Sequence, residues 1–258
     1  MKFVRLTVCA FALVSGFGLR AQELRVAAAA DLQFAMKDLA VQFEKATGTK
    51  VAVTYGSSGN FRAQIENGAP FDVFFSADAQ YPEQLVKSGA ADATSRTVYA
   101  FGHLVLWAPA DEHLLLAQRG FEVLKDPKVV KIAIANPEHA PYGRAAVEVL
   151  EKACVYEEVK EKLVYGENTS QAAQFAQSGS AQVGLVALSL TFAESMKGGD
   201  RWEIPKRLSP ELKQEAVIVS ASRNKKEASA FLEFVKSEQG RAILQKYGLT
   251  PPQAAKNP

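Results

Sequence analysis

Residues 23–59 read ELRVAAAADLQFAMKDLAVQFEKATGTKVAVTYGSSG, and this stretch decides the fold class. It begins with an apolar, strand-like run over residues 23–30. Apolar side chains at helical spacing follow, at Leu32, Ala35, Met36, Leu39 and Phe43. Gly48 supplies a helix stop, and residues 50–55 alternate in polarity like a strand. A strand, a helix and a second strand in this order predict a parallel α/β sheet.

The same alternation continues along the chain and then restarts. The Gly56–Gly59 turn precedes a predicted helix, and residues 72–77 form another buried, strand-like run. A long strand-like stretch over residues 98–109 comes next, and a new strand–helix pattern begins at residue 131. A strand over residues 215–220 is expected to return to the first unit.

The chain is therefore predicted to form two α/β lobes, the second inserted within the first. We expect residues 22–103 and 219–258 to form lobe 1, and residues 104–218 to form lobe 2. Two crossing segments join the lobes, and a cleft between lobes joined in this way can close on a ligand.

The first residues are typical of a secretory signal peptide. Lys2 and Arg5 precede an uncharged run over residues 6–19, and Ala21 offers a small residue for cleavage. The run is shorter than the roughly 20 residues of a membrane-spanning helix. We therefore expect residues 1–21 to be removed on export to the periplasm; the alternative is a retained N-terminal anchor.

Removal of this leader changes the charge of the protein. The whole chain carries 30 basic and 28 acidic residues, a formal net charge of +2. Residues 1–21 contain three basic residues and no acidic one, so the mature chain has 27 against 28, a net charge of −1. This balance gives no indication of a nucleic-acid partner. Cys154 would remain as a single cysteine, which excludes an intrachain disulfide.

Motifs of catalysis are absent from the sequence. The Gly56–Gly59 turn lacks the lysine of a phosphate-binding Walker loop, and no Gly-x-Ser-x-Gly motif occurs. The three histidines, His103, His113 and His139, are not spaced as metal ligands. We therefore expect a binding protein without a cofactor or a direct metal ligand, rather than an enzyme.

A different feature recurs where buried strands end. Small or hydroxylated residues stand between strand and helix at Asp31, Ser58, Tyr142-Gly143, Thr169-Ser170 and Ser189. A helix N-terminus presents unpaired N–H groups and a partial positive charge, which favour an anion. Several such termini converging from two lobes would bind an anion with neutral donors. The alternative is that each residue is an ordinary helix cap.

Four motifs together make the chain resemble the periplasmic molybdate-binding proteins of ABC transporters. They are AAAADL at residues 27–32, YGSSGN at 55–60, GAPFDV at 68–73 with Ser76-Ala77-Asp78, and NPEHAPYG at 136–143. The resemblance spans nearly the whole mature chain. It implies the type II periplasmic-binding fold, and capture of molybdate, often also tungstate, for delivery to a membrane permease.

The resemblance also implies a set of ligand-binding residues. Ser58 matches the serine that donates its hydroxyl and amide to the oxyanion. Tyr142 matches a loop position that lies over the ligand, and Thr169 matches a helix start that donates a backbone N–H. Ala187 stands where many members have a ligand-binding tyrosine, so that hydroxyl is missing here. We interpret Tyr142 as the residue that supplies it from the other loop.

Asp31 departs from the family, whose members commonly have Ser, Thr or Asn at this ligand-facing position. A carboxylate beside a dianion is repulsive unless it turns away, is protonated or accepts a proton from the ligand. One interpretation is that Asp31 caps its own helix while nearby amides face the anion. The other is that it accepts a hydrogen bond from a protonated oxyanion, as phosphate would allow.

Three other functions stay open on the sequence. The cleft could hold another tetrahedral oxyanion, such as phosphate or sulfate. It could belong to a ligand-sensing module of a membrane receptor, or to an α/β hydrolase or transferase. We expect a monomer that meets the membrane only through the permease.

Overall fold

The computed structural model describes residues 23–253, in which ten strands form two five-stranded sheets. The strands are β1 (Leu24–Ala29), β2 (Val51–Gly56), β3 (Val73–Ser76), β4 (Thr97–Gly102), β5 (Leu104–Ala108), β6 (Ile132–Ala135), β7 (Leu163–Gly166), β8 (Val183–Ala187), β9 (Asp200–Glu203) and β10 (Leu212–Ile218). The predicted signal peptide, residues 1–21, lies outside the described residues.

Nine α-helices accompany these strands in the described part of the chain. They are α1 (Gln33–Thr47), α2 (Ser58–Glu66), α3 (Gln80–Lys87), α4 (Leu116–Arg119), α5 (Pro141–Lys152), α6 (Tyr156–Val159), α7 (Thr169–Gln177), α8 (Lys225–Lys236) and α9 (Glu238–Lys246). Short 3-10 helices follow β1 at Ala30–Leu32 and β8 at Leu188–Phe192. Within residues 23–253, no helix is both long and apolar enough to cross a membrane.

The first sheet has the strand order β2-β1-β3-β10-β4. Strands β1, β2 and β3 are parallel, and β10 runs antiparallel to both β3 and β4. Its core packs α1, α8 and α9 on one face, where Phe43, Phe75 and Phe231 meet edge to face. We call this sheet and its helices the first lobe.

The second sheet has the order β7-β6-β8-β5-β9 and repeats the same plan. Strands β6, β7 and β8 are parallel, and β5 runs antiparallel to β8 and β9. The two sheets with their flanking helices, here called the first and second lobes, confirm the predicted two-lobed α/β fold. In each lobe the parallel strands direct their carboxyl ends toward helix N-termini, which is where α/β proteins place their ligands.

The crossing segments differ from the predicted pattern in two places. The predicted long strand over residues 98–109 is two strands in different sheets, β4 and β5, separated by His103. The predicted boundary at residue 219 assigns β10 to lobe 2, whereas its hydrogen bonds with β3 and β4 place it in the first sheet. The second crossing therefore lies between β9 and β10, over residues 204–211.

Candidate functional site

A small cavity lies between the lobes, where strand ends and helix starts meet. It is lined by Ala29, Ala30, Asp31, Gly56, Ser57, Ser58, Ala77, Ala140, Pro141, Tyr142, Asn168 and Thr169. Its volume is about 10 Å³, which is close to the space that one water molecule needs. Four of the five predicted site residues, Asp31, Ser58, Tyr142 and Thr169, line this cavity together.

Ser58 reaches the cavity as the first residue of α2, directly after the turn that ends β2. Its side chain is fully buried, and its Oγ accepts a hydrogen bond of 3.0 Å from the Ala77 N–H. A hydroxyl has one proton to donate in addition to its acceptor lone pairs. Because the Ala77 amide occupies an acceptor position, the Ser58 proton can point toward a ligand.

Thr169 has the same arrangement in the second lobe. It is the buried first residue of α7, and its Oγ1 accepts a hydrogen bond of 3.0 Å from the Ala187 N–H. The Thr169 proton can therefore also be donated into the cavity. Each lobe contributes one buried hydroxyl at a helix start, fixed in place by an amide at the end of a neighbouring strand.

Ala187, the fifth predicted residue, does not line the cavity. It is the buried last residue of β8, and its N–H is already donated to Thr169 Oγ1. Its place in the structure is behind Thr169, where it orients the threonine hydroxyl.

Tyr142 enters the cavity from the second position of α5, and its side chain is 3% exposed. Its hydroxyl donates to Asp31 Oδ2 at 3.2 Å and accepts from Gln214 Nε2 at 3.3 Å. Burial and the neighbouring Asp31 carboxylate raise the Tyr142 pKa well above its ordinary value. Tyr142 is therefore a neutral hydrogen-bond donor that crosses from the second lobe to the first.

Asp31 lies in the 3-10 helix after β1 and is 1% exposed. Its Oδ2 accepts from Gln214 Nε2 at 2.6 Å, whereas its Oδ1 has no hydrogen-bond partner. Burial raises the pKa of Asp31 to about 6, against the opposing effect of the hydrogen bonds from Gln214 and Tyr142.

The interpretation that Asp31 caps its own helix is wrong. Neither the 3-10 helix nor α1 has a side-chain N-cap hydrogen bond. The carboxylate instead accepts hydrogen bonds from residues distant in sequence, Tyr142 of the other lobe and Gln214 of β10. The main-chain carbonyl of Asp31 accepts a further bond of 2.6 Å from Ser189 Oγ, which ties this turn to the second lobe.

Gln214 is a component of the site that the sequence analysis missed. It is fully buried in β10, next to the buried Glu215, and the pairing of β10 with β4 shifts register between these two residues. Strand β10 reads LKQEAVI, so a polar run stands beside its apolar end, and this run was a signal in the sequence. The strand itself was expected to begin only at residue 215, so Gln214 fell outside it.

The electrostatics of the cavity rest on neutral donors. Asp31 is the only charged residue in its described lining, and no lysine or arginine belongs to that lining. The N-cap positions of α2 and α5 are Ser57 and Ala140, and neither makes a side-chain cap hydrogen bond. Two helix N-termini without side-chain caps therefore face the cavity with their partial positive charge.

Contacts across the cleft hold the two lobes together around the cavity. The Gly59 N–H donates to the His139 carbonyl at 2.9 Å, and the His139 ring is 2.9 Å from Ser57 Oγ. Arg144 of α5 bonds to the Tyr81 hydroxyl and forms an ion pair with Asp78. Further cross-lobe bonds join Asn60 with Glu167 and Gln33 with Ser170. The lobes are in a closed arrangement, and opening for ligand exchange would break these bonds.

No group of three or more His, Cys, Asp and Glu residues over residues 23–253 is arranged to hold a metal ion. A cavity with hydroxyl, amide and helix N-terminal donors is instead suited to an anion. Hydrogen bonds that are directed and few in number select an anion by its shape as well as its charge.

Comparison with known proteins agrees with this chemistry. Residues 24–250 match the bacterial extracellular solute-binding protein family. The chain is 41% identical over 245 residues to the molybdate-binding protein ModA of Azotobacter vinelandii, covering 95% of this chain and 96% of that protein. It is 39% identical over 247 residues to the molybdate-binding protein ModA of Rhodobacter capsulatus, with 95% and 96% covered.

A solved structure extends the similarity to three dimensions. The Azotobacter vinelandii periplasmic molybdate-binding protein matches with a TM-score of 0.83 at 37% identity, covering 89% of this chain and 100% of that chain. The resemblance seen in the four sequence motifs is thereby confirmed. The chain therefore belongs to the family of bacterial extracellular solute-binding proteins, in which its relatives include the ModA molybdate-binding proteins.

Proposed function

We propose that this protein captures molybdate in the cavity between its lobes and delivers it to the permease of an ABC transporter. Tungstate is the second expected ligand because it shares the charge and tetrahedral shape of molybdate. The names of the two ModA relatives support molybdate, and each of them matches about 95% of this chain.

The observation that carries the proposal is the matched pair of hydroxyls, Ser58 and Thr169. Each accepts a buried backbone N–H and so presents its proton to the cavity from an opposite lobe. A tetrahedral oxyanion offers acceptor oxygens in several directions, so one ligand can accept from both lobes together. Binding then favours lobe closure, which is the change a permease can recognise.

A second oxyanion is favoured by one specific observation. The buried Oδ1 of Asp31 has no hydrogen-bond partner and belongs to a residue that lines the cavity. A protonated oxyanion such as phosphate could donate to it. Phosphate is therefore the alternative ligand, with sulfate expected to bind less well because it has no proton to donate near neutral pH.

Calorimetry of the mature protein, residues 22–258, tests the proposal against four anions. We expect submicromolar binding of molybdate and tungstate, and no comparable binding of sulfate or phosphate. Tight binding of phosphate alone would establish the alternative. No response to any of the four anions would refute capture of an oxyanion.

Export, transport and oligomeric state complete the proposal. We infer periplasmic location from the predicted signal peptide and from the periplasmic relative of Azotobacter vinelandii. Molybdate uptake by vesicles that contain the permease should depend on added binding protein. Stimulation of a receptor kinase without transport would favour the ligand-sensing alternative instead.

The protein is expected to act as a monomer, which light scattering can measure.

A further inference from the structure

The cluster of Asp31, Tyr142 and Gln214 contains more hydrogen-bond acceptors than donors. Gln214 Nε2 donates to Asp31 Oδ2 and to the Tyr142 hydroxyl, and the Tyr142 hydroxyl donates to Asp31 Oδ2. Asp31 Oδ1 and Gln214 Oε1 have no partner, although both atoms are buried. Buried polar atoms in proteins nearly always have a partner. One additional proton, on the Asp31 carboxylate, would turn an unpartnered acceptor in this cluster into a donor.

The groups that face Asp31 do not supply a positive charge. Tyr142 comes from α5, Gln214 from β10, and Ser189 bonds to the Asp31 carbonyl from the 3-10 helix after β8. Tyr99 of β4 is close enough that the charge of Asp31 contributes to raising the pKa of Tyr99. The hydrogen bonds to the carboxylate come from Gln214, Tyr142 and the Asp31 backbone, all neutral, so an ionised Asp31 has no counter-ion among the groups of residues 23–253 that shift its pKa. Burial therefore favours the neutral acid, in line with a pKa of about 6.

A dianion in the cavity would strengthen this preference. Asp31 shares the cavity lining with Ser58 and Thr169, the two hydroxyls that face the ligand. A second negative charge at this distance disfavours the ionised carboxylate further. A neutral Asp31 would turn its unpartnered Oδ1 from a repelling acceptor into a donor toward an oxyanion oxygen. The Tyr142 hydroxyl would then face a neutral acid and be free to donate to the ligand.

We propose that Asp31 binds the oxyanion as the neutral carboxylic acid, so that capture takes up about one proton from solvent for each oxyanion bound. The inference rests on the proposed capture of an oxyanion and specifies how this chain uses a residue that repels anions when ionised. The proton comes from the buffer and forms the O–H bond at Asp31 Oδ1, and no other bond is made or broken. Release of the oxyanion returns the proton to solvent.

The pH dependence follows from the two protonation states. Below about pH 6 the free protein already carries the proton, so affinity is independent of pH there. Above about pH 6 the free protein must take up the proton on binding. Affinity then falls about tenfold for each pH unit, until the pKa of Asp31 in the complex is reached.

Calorimetry in two buffers of different ionisation enthalpy measures this proton directly. At pH 7.5, molybdate binding to the wild-type protein should take up about one proton. Asp31→Asn keeps a neutral donor at the same position, so it should bind molybdate with no proton uptake and with an affinity that is flat between pH 6 and 8. The same variant corrects for any proton that the ligand itself exchanges. Asp31→Ser provides a second neutral side chain if the asparagine variant fails to fold.

The outcomes separate this inference from the proposed function. Molybdate binding by the wild-type protein without proton uptake would overturn the role of Asp31 and leave oxyanion capture intact. Equal proton uptake in wild type and both variants would also overturn it, because the proton would then belong to another group. Failure of the wild-type protein to bind any of the four anions would instead refute the function on which the inference rests.

Discussion

Ser58 and Thr169 make the same hydrogen bond in opposite lobes of the protein. Each is the first residue of a helix, each is buried, and each hydroxyl accepts a backbone N–H at 3.0 Å. The donors, Ala77 and Ala187, follow or end a strand that neighbours the helix start. We therefore expect the two hydroxyls to act as equivalent donors to one ligand, so that loss of either weakens binding in a similar way.

Thr169→Val keeps the shape of the side chain and removes its hydroxyl. We expect molybdate affinity to fall by roughly 10- to 150-fold, because a hydrogen bond to a charged group contributes about 1.5–3 kcal/mol. Isothermal titration calorimetry measures the loss. Thr169→Ser retains the hydroxyl and serves as the matched control, with an affinity within a few-fold of wild type. Wild-type affinity in the valine variant would show that binding does not use the Thr169 hydroxyl.

Substitution of Tyr142 should weaken binding, whereas substitution of Ala187 should have little effect. Tyr142→Phe removes the hydroxyl that lies in the cavity and bonds to Asp31, so we expect a loss of affinity of about fivefold, in keeping with about 1 kcal/mol for a neutral hydrogen bond. Ala187→Ser adds a small side chain behind Thr169 and outside the cavity lining, so affinity should change little. Titration of both variants with molybdate tests this. A larger loss in the Ala187 variant would place a ligand contact at that position.

Gly59 lies where the lobes come closest. A Cβ at this position would stand 2.7 Å from the His139 carbonyl oxygen of the other lobe and 2.7 Å from the Tyr81 hydroxyl. Since a backbone carbonyl has little room to move, Gly59→Ala should hold the lobes apart. We expect weaker molybdate binding and a smaller ligand-induced decrease in the radius of gyration, measured by small-angle X-ray scattering.

Gly198→Ala is the matched control for this substitution, because a Cβ there meets no atom within 4 Å. Its affinity and its compaction should equal those of the wild-type protein. If Gly59→Ala binds and compacts normally, the observed contact between Gly59 and His139 does not limit closure.

The sequence predicted those parts of the site that are encoded locally. The Gly56–Gly59 turn and the start of α7 each place a hydroxyl between a strand and a helix, and this local pattern identified Ser58 and Thr169. Gln214 could not be placed in this way, because its role depends on β10 returning to the first sheet from a distant part of the chain. The same holds for Asp31. Its sequence neighbours predicted a helix cap. The structure instead pairs it with Tyr142, which is 111 positions away in the chain, and with Gln214, which is 183 positions away.

The fold shows a similar division. Strand–helix alternation was sufficient to predict two α/β lobes, because each strand and helix carries its own periodicity. The division of residues 97–108 between two sheets was not predictable from periodicity. Both β4 and β5 are apolar, and His103 between them carries no turn signal. Only the hydrogen-bonding partners of each strand reveal that the chain changes lobes there.

Asp31→Asn should stabilise the fold at neutral pH. The pKa of Asp31 is raised from 3.8 to about 6 in the folded protein. The folded protein therefore binds this proton more tightly than the unfolded chain does. The stability from this preference is complete below pH 3.8 and is lost as pH rises toward about 6. Above that pH the ionised carboxylate costs up to about 3 kcal/mol, since one pKa unit corresponds to 1.36 kcal/mol.

The asparagine variant avoids this cost, so its Tm at pH 7.5 should exceed that of the wild-type protein by up to about 10 °C for a chain of this size. At pH 4 the difference should largely disappear, because wild-type Asp31 is then protonated when folded. Calorimetric unfolding at both pH values measures the two differences. Asp38→Asn is the control of opposite sign, because the hydrogen bond from Lys246 lowers the pKa of Asp38. Removal of the Asp38 carboxylate should therefore not stabilise the protein at pH 7.5. Equal Tm values for wild type and Asp31→Asn at pH 7.5 would mean that the buried carboxylate carries no such cost.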